Sequence, residues 1–162
     1  FIDGHLLDVV ELFKMKTLGK CVLDIGSGCG VPGLLAAAID LDQEREWFLC
    51  NSEKQKAEFL ANTATEMGLN RVSVSSSRVE TIINEIEPDT VTARAVGTVD
   101  KLGGWILGCS TWNNFILFKS KSWPQEWKEA QLSRFGKKLT VTHTHEYSSQ
   151  DKYRVLINLK KK

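Results

Sequence analysis

The residues best suited to chemistry in this 162-residue chain form one short run, Asp24-Ile25-Gly26-Ser27-Gly28-Cys29-Gly30. Three glycines at alternate positions let a backbone approach a ligand closely and turn through positive φ, where a Cβ would clash. A tight turn alone does not call for three of them, nor for a carboxylate at their head. The run therefore reads as a ligand cradle. Asn51 closes a second apolar run, Trp47-Phe48-Leu49-Cys50, and is placed to meet a ligand at the end of a neighbouring strand.

Two ligand chemistries compete for the loop. Gly28-x-Gly30-x-x-Gly33 formally matches the GxGxxG pattern that sets a dinucleotide pyrophosphate on a helix N-terminus. The other reading is the D-x-G-x-G-x-G loop of enzymes that use S-adenosylmethionine. Charge separates them. A carboxylate at Asp24 repels a pyrophosphate but attracts the ammonium and sulfonium of S-adenosylmethionine, directly or through water. Counting from Gly26, directly after the strand, puts Val31 where the dinucleotide pattern needs its third glycine. S-adenosylmethionine is the expected cofactor, with Asp24, Gly26, Ser27, Gly28 and Val31 as contacts. At Asn51 an acid would usually accept from the ribose hydroxyls. An amide can still bond a hydroxyl, and Glu53 is a possible substitute.

These residues need elements to hold them. Cys21 to Ile25 is an apolar run that stops at Gly26, as a buried parallel strand does. Pro32 fits the first turn of a helix that continues to Ile39. After the strand at 47–50, Ser52 is expected to cap a helix running to about Met67 and ended by Gly68. Further strands are expected at 72–74, 90–93 and 115–118. Helices are expected at 79–86, 99–107 and from Pro124 to about Phe135. Two alternating segments, 139–142 and 153–157, close the chain. Repeated strand–helix units imply a parallel sheet covered on both faces, and the last two strands imply an antiparallel hairpin at one edge. The expected fold is α/β and Rossmann-like: a class I S-adenosylmethionine methyltransferase with a mostly parallel, seven-stranded sheet. Ligands in such sheets bind at the carboxyl ends of the strands.

Composition excludes several classes. Apolar residues are 42% and charged residues 25%, as in ordinary globular proteins. No apolar run reaches the ~20 residues needed to cross a bilayer, and the N-terminus lacks the features of a signal peptide. Cys21, Cys29, Cys50 and Cys109 are scattered, make no metal-binding spacing with the three histidines, and read as reduced thiols. A cytoplasmic protein without a metal is expected. Residues 1–90 carry 8 basic against 15 acidic residues, net −7, whereas 91–162 carry 13 against 5, net +8. A basic half suits a polyanionic partner.

With these motifs in view, the chain resembles the glucose-inhibited division protein B family of 16S rRNA guanine-N7 methyltransferases along nearly its whole length. His5-Leu6-Leu7-Asp8 is similar to that family's H-I-L-D-S-L helix, and residues 24–33 to its D-I-G-S-G-A-G-F-P-G loop. Asn51-Ser52-Glu53-Lys54-Gln55-Lys56 stands where the family has D-S-x-x-K-R. Ser77-Arg78-Val79-Glu80, Thr92-Ala93-Arg94-Ala95-Val96 and Lys119 resemble its S-R-V/A-E, T-A-R-A-V and A-L-K-G elements. The resemblance implies that Gly26 and Val31 line the methionine and ribose side, that Val79 and Glu80 lie near the adenine, and that Arg94 borders the cofactor. It implies that Lys54, Arg78 and Lys119 face the RNA. Three departures stand out. Asn51 replaces the acid, Ser120 and Lys121 replace the glycine after Lys119, and the family's N-terminal helical segment is expected to be missing from this single domain of residues 1–162.

The expected activity is methyl transfer to N7 of a guanine in 16S ribosomal RNA by a monomer. N7 carries an in-plane lone pair, so no general base is required and no catalytic residue is assigned. Alignment and stabilisation of developing charge suffice. Strand four lacks the Asn/Asp-Pro-Pro-aromatic turn that grips exocyclic amines, and no Pro-Cys pair supplies a thiolate for pyrimidine C5. Two alternatives stand beside this reading. One is a non-catalytic binding module on the same fold, and the other an NAD-dependent oxidoreductase.

Overall fold

The computed structural model describes residues 2–162, with Ile2 described by its backbone alone. Helix α1 (Ile2–Lys14) leads into strand β1 (Cys21–Ile25), and five strand–helix alternations follow. These are α2 (Gly33–Ile39), β2 (Glu46–Cys50), α3 (Lys54–Glu66), β3 (Val72–Ser75), α4 (Val79–Ile86), β4 (Thr90–Arg94), α5 (Val99–Ile106), β5 (Asn114–Lys119) and α6 (Trp123–Gln131). A short 3-10 turn (Gly136–Lys138) precedes the hairpin strands β6 (Leu139–Ser149) and β7 (Lys152–Lys161).

The seven strands form one sheet in the order β3-β2-β1-β4-β5-β7-β6. The first five are parallel, and β7 runs antiparallel between β5 and β6. The order reverses between β1 and β4, which is where a doubly wound sheet opens a crevice. The hairpin strands are much longer than the alternating patches in the sequence. Their turn residues, Gln150 and Asp151, both have positive φ (51° and 59°), which matches the twist of a two-residue hairpin loop.

Alternation along the strands sorts the core. Leu23 and Ile25 face the side covered by α4 and α5, among Val79, Ile83, Leu102 and Ile106. Val22 faces the other side, with Val9 and Leu12 of α1, Ala36 of α2 and Trp47 of β2. Asp24 shares Val22's parity, so its side chain points toward α2 and is 0% exposed.

Pro32 stands at the N-cap of α2, as its place in the first turn suggested, and its carbonyl accepts from the Ala36 amide at 2.8 Å. Two local expectations are corrected. Ser52 does not cap α3. The preceding Asn51 turns its Oδ1 onto the Glu53 amide at 3.0 Å, which moves the helix start to Lys54. Helix α6 stops at Gln131 and not at Phe135, because Asp100 of α5 draws the Phe135 amide into a tertiary bond at 2.6 Å.

Candidate functional site

The loop after β1 folds over the end of β2. The Gly26 and Ser27 amides both donate to the Cys50 carbonyl, at 2.8 and 3.2 Å. Gly26 has φ +66°, and a Cβ there would lie 2.7 Å from Val96 Cγ2. Gly28 (φ +54°) meets only the Gly26 carbonyl, so its outer side faces open space. Gly26 thus leaves no room for a side chain, Gly28 leaves its outer side open, and the loop presents bare backbone to the crevice.

That crevice is a cleft of about 700 Å3 at the carboxyl ends of β1, β2 and β4. Gly26 and Gly28 form one wall, and Asn51 and Glu53 extend from the end of β2. Arg78, Val79 and Glu80 contribute the start of α4. The opposite wall holds Ala95, Val96, Lys101 and Trp105. Asn51 is 8% exposed, and with Oδ1 held by the Glu53 amide it has its Nδ2 to offer a ligand. Glu53 stands at the rim, exposed and paired with Lys56 at 2.8 Å. Cys50 also lines the cleft, but burial and the charges of Asp24 and Glu80 push its thiol up to about 11. It donates to the Ser77 carbonyl and is no nucleophile at neutral pH.

Four of the residues singled out from the sequence line neither this cleft nor the smaller one beside it. Asp24 is internal: its Oδ1 accepts from the Thr92 hydroxyl at 2.7 Å and its Oδ2 from the Gly33 amide at 3.1 Å. Burial pushes its carboxyl up to about 6 against those hydrogen bonds. Ser27 is buried beneath the loop and donates to the Asp24 carbonyl. Val31 is half-buried on the α2 side of the loop and outside the cleft lining. Lys54 lies on the solvent face of α3, 3.9 Å from Glu58, and Lys56 takes the place at the cleft instead.

A second, smaller cleft of about 260 Å3 opens beside the first, between α1, the ends of β4 and β5, and the hairpin. Arg94 and Lys119 line it, together with Asp8, Tyr147 and Arg154, and Ala95 lines both clefts. Arg94 reaches back to α1, with its guanidinium 2.7 Å from His5 Nδ1 and 3.6 Å from Asp8 Oδ2. Lys119 is ion-paired with Glu126 of α6 and lies 5.9 Å from the centre of the Trp123 ring. Arg78, by contrast, is exposed and has no acid within ion-pairing distance among the described residues.

Sequence reasoning missed Lys101, Trp105 and Lys56 in the first cleft. It also missed Asp8, Tyr147 and Arg154 in the second. Lys101 and Trp105 stand four apart on the helix after β4, with the ammonium 5.2 Å from the indole centre. That spacing was a usable signal. No local pattern connects Asp8 with Tyr147.

A glycine-cradled cleft at the switch point of this sheet, with the antiparallel hairpin, defines the class I methyltransferase fold. Solved structures agree. A methyltransferase from Aquifex aeolicus described as S-adenosylmethionine-dependent superposes with a TM-score of 0.70 at 16% identity, covering 94% of this chain and 88% of that one. Magnesium protoporphyrin IX methyltransferase from Synechocystis with bound S-adenosylhomocysteine gives 0.65 at 15% identity, covering 98% and 84%. The chain belongs to the GidB family, rRNA small subunit methyltransferase G, whose model matches residues 1–155. Relatives bearing that description include those of Ruegeria, 34% identical over 75% of this chain, and Halorhodospira halophila, 41% identical over 62%. The chain spans 60% and 46% of the length of these two relatives. Among the described residues no helix is long and apolar enough to cross a membrane.

Proposed function

We propose that this chain transfers a methyl group from S-adenosylmethionine to N7 of a guanine in 16S ribosomal RNA. The observation that carries the reading is the pair of clefts meeting at Ala95. One is walled by glycine backbone and the other by cations. The larger cleft fits the cofactor, since its open side at Gly28 is what an extended adenosyl-methionine ligand needs. Gly26 and Gly28 would take the methionine end, Asn51 Nδ2 and the Glu53 carboxylate the ribose hydroxyls, and Val79, Glu80 and Trp105 the adenine. Asp24 serves the same site from beneath, by fixing the loop. Bound there, the cofactor supplies an electrophilic sulfonium methyl.

The protein's own part is alignment and electrostatics. With the cofactor held there, the N7 lone pair would form the new N–C bond as the S–C bond breaks, and the positive charge would pass from sulfur to the purine. No proton has to leave, which fits a cleft whose one thiol is held neutral. Arg78 at the rim, with Arg94, Lys119 and Arg154 around the second cleft, would engage phosphates and base oxygens of the RNA. The domain would act in the cytoplasm, where ribosomal RNA is made.

The test is to incubate the chain with unmodified 16S rRNA and methyl-labelled S-adenosylmethionine, then locate the label by nuclease digestion and mass spectrometry. Label at guanine N7 is expected. Label on another atom would overturn the guanine-N7 assignment, and cofactor binding with no transfer to any rRNA would overturn the reading and favour a non-catalytic module.

A further inference from the structure

The second cleft holds a buried carboxylate for which methyl transfer as set out above has no use. Asp8 on α1 is 2% exposed, yet it borders the cleft. Its Oδ1 accepts from the Tyr147 hydroxyl at 2.6 Å, across 139 residues of chain. Its Oδ2 lies 3.6 Å from the Arg94 guanidinium.

We propose that this cleft receives the target guanine by its Watson–Crick edge, with the Asp8 carboxylate accepting from N1–H and the 2-amino group. The proposal rests on the methyl-transfer reading and adds the group that selects and stabilises the base.

The chemistry of the pocket favours guanine. Each carboxylate oxygen can take two hydrogen bonds, so Tyr147 and Arg94 leave capacity for a paired donor. Guanine offers two parallel donors, N1–H and the 2-amino group. Adenine presents a lone pair at N1, which a carboxylate repels. Burial and the Asp8 charge hold the Tyr147 phenol above its ordinary range, so it stays the donor in this bond. The cleft, at about 260 Å3, is below the roughly 300–1,000 Å3 of ordinary small-molecule sites and suits one base.

The orientation suits the reaction. N1 and the 2-amino group sit at the opposite end of the purine from the imidazole ring. A base seated on Asp8 therefore sends its imidazole end toward Ala95 and the larger cleft. As N7 gains the methyl group the purine becomes cationic, and N1–H becomes a stronger donor. The bond to Asp8 then tightens in the transition state more than in the ground state, which accelerates transfer without moving a proton.

The test uses GMP, IMP and AMP as probes, titrated into the chain in the presence of S-adenosylhomocysteine and followed by saturation-transfer NMR. GMP is expected to bind about tenfold more tightly than IMP, which lacks the 2-amino group, and AMP more weakly still. Asp8→Asn should bring GMP and IMP to equal affinity and lower kcat on rRNA about a hundredfold, with S-adenosylhomocysteine affinity unchanged. A purely structural Asp8 would weaken both nucleotides alike and leave their ratio intact, which would overturn the proposal. Equal binding of the three nucleotides by the unaltered chain would overturn it without any variant. N7 transfer that survives Asp8→Asn removes the pocket and leaves the methyl-transfer reading standing. Asp8-dependent GMP selectivity without transfer to rRNA does the reverse.

Discussion

The Asp24 carboxylate and the Gly33 amide are joined across the glycine-rich loop at 3.1 Å, within a site wholly closed to solvent. The second oxygen of Asp24 accepts from Thr92, so the side chain ties β1, the start of α2 and β4 together. The acid that heads the motif is thus a brace for the cradle. Its burial has a measurable cost in charge.

Burial raises the folded-state carboxyl to about 6, against 3.8 when unfolded. Folding therefore favours the protonated form. This contribution is fully present below about pH 4 and is lost as pH rises through about 6, a change of roughly 3 kcal/mol for two units. In Asp24→Asn the amide can accept from Gly33 with its oxygen and donate to the Thr92 hydroxyl, so the brace survives uncharged. Urea unfolding from pH 4 to pH 7 should show wild type losing stability relative to Asp24→Asn by up to about 3 kcal/mol. A constant difference across that range would show that burial does not raise the Asp24 carboxyl in the fold. Asp24→Ala, which orphans the Gly33 amide, should be about 1–3 kcal/mol less stable than Asp24→Asn at every pH, since neither variant carries the charge.

Gly26→Ala tests the other end of the loop. The new methyl group would sit 2.7 Å from Val96 Cγ2, at a φ of +66° that suits alanine poorly. Loop and Val96 must separate, and both line the larger cleft. S-adenosylhomocysteine affinity, measured by calorimetry, should fall at least tenfold. Adding Val96→Ala should recover only part of it, because the backbone strain remains. Unchanged affinity in the single variant would mean that this wall does not meet the ligand.

What the sequence shows about the site follows from how local each feature is. Strand β1 and its loop are legible because an apolar run ending in alternate glycines has few other uses. The direction of Asp24 is not legible as a role. Parity along β1 places it on Val22's face, but only the close packing of Gly33 and Thr92 shows that nothing else can reach it. Lys54 and Lys56 show a different limit. Two residues turn a helix by about 200°, so one lysine faces the cleft and the other faces solvent. Which one does depends on where α3 begins, and the Asn51–Glu53 bond decides that start against the capping pattern at Ser52. The Asp8–Tyr147 pair lies beyond any local pattern. It exists because β6 is 11 residues long and carries Tyr147 back over α1.

Asn51→Asp should hold or improve cofactor affinity. An aspartate can keep the bond to the Glu53 amide, now at 3.0 Å, and adds a charged acceptor for a ribose hydroxyl. Calorimetry with S-adenosylhomocysteine should give equal or tighter binding. A tenfold loss would show that the Asn51 Nδ2 is the group used, and Glu53→Gln would then identify the acceptor.

The cations that the proposed reading assigns to RNA should differ in a salt titration because they start from different states. Arg78 is exposed at the cleft rim with no acid partner among the described residues, so a phosphate it binds releases its counterion in full. Lys119 is already neutralised by Glu126, so its engagement with RNA must first break or share that pair. In filter binding across a salt series, Arg78→Ala should make the slope of log affinity against log salt shallower by about 0.7–0.9, the value for one phosphate contact. Lys119→Ala should change the slope less. Glu126→Gln frees the ammonium and should both tighten RNA binding and steepen the slope. S-adenosylhomocysteine affinity should be unaffected by Lys119→Ala and Glu126→Gln, since neither residue lines the larger cleft. If Arg78→Ala and Lys119→Ala both leave RNA affinity and its salt dependence unchanged, the RNA does not dock on this face. The lysines at 160–162, where β7 ends, would then be the next surface to test.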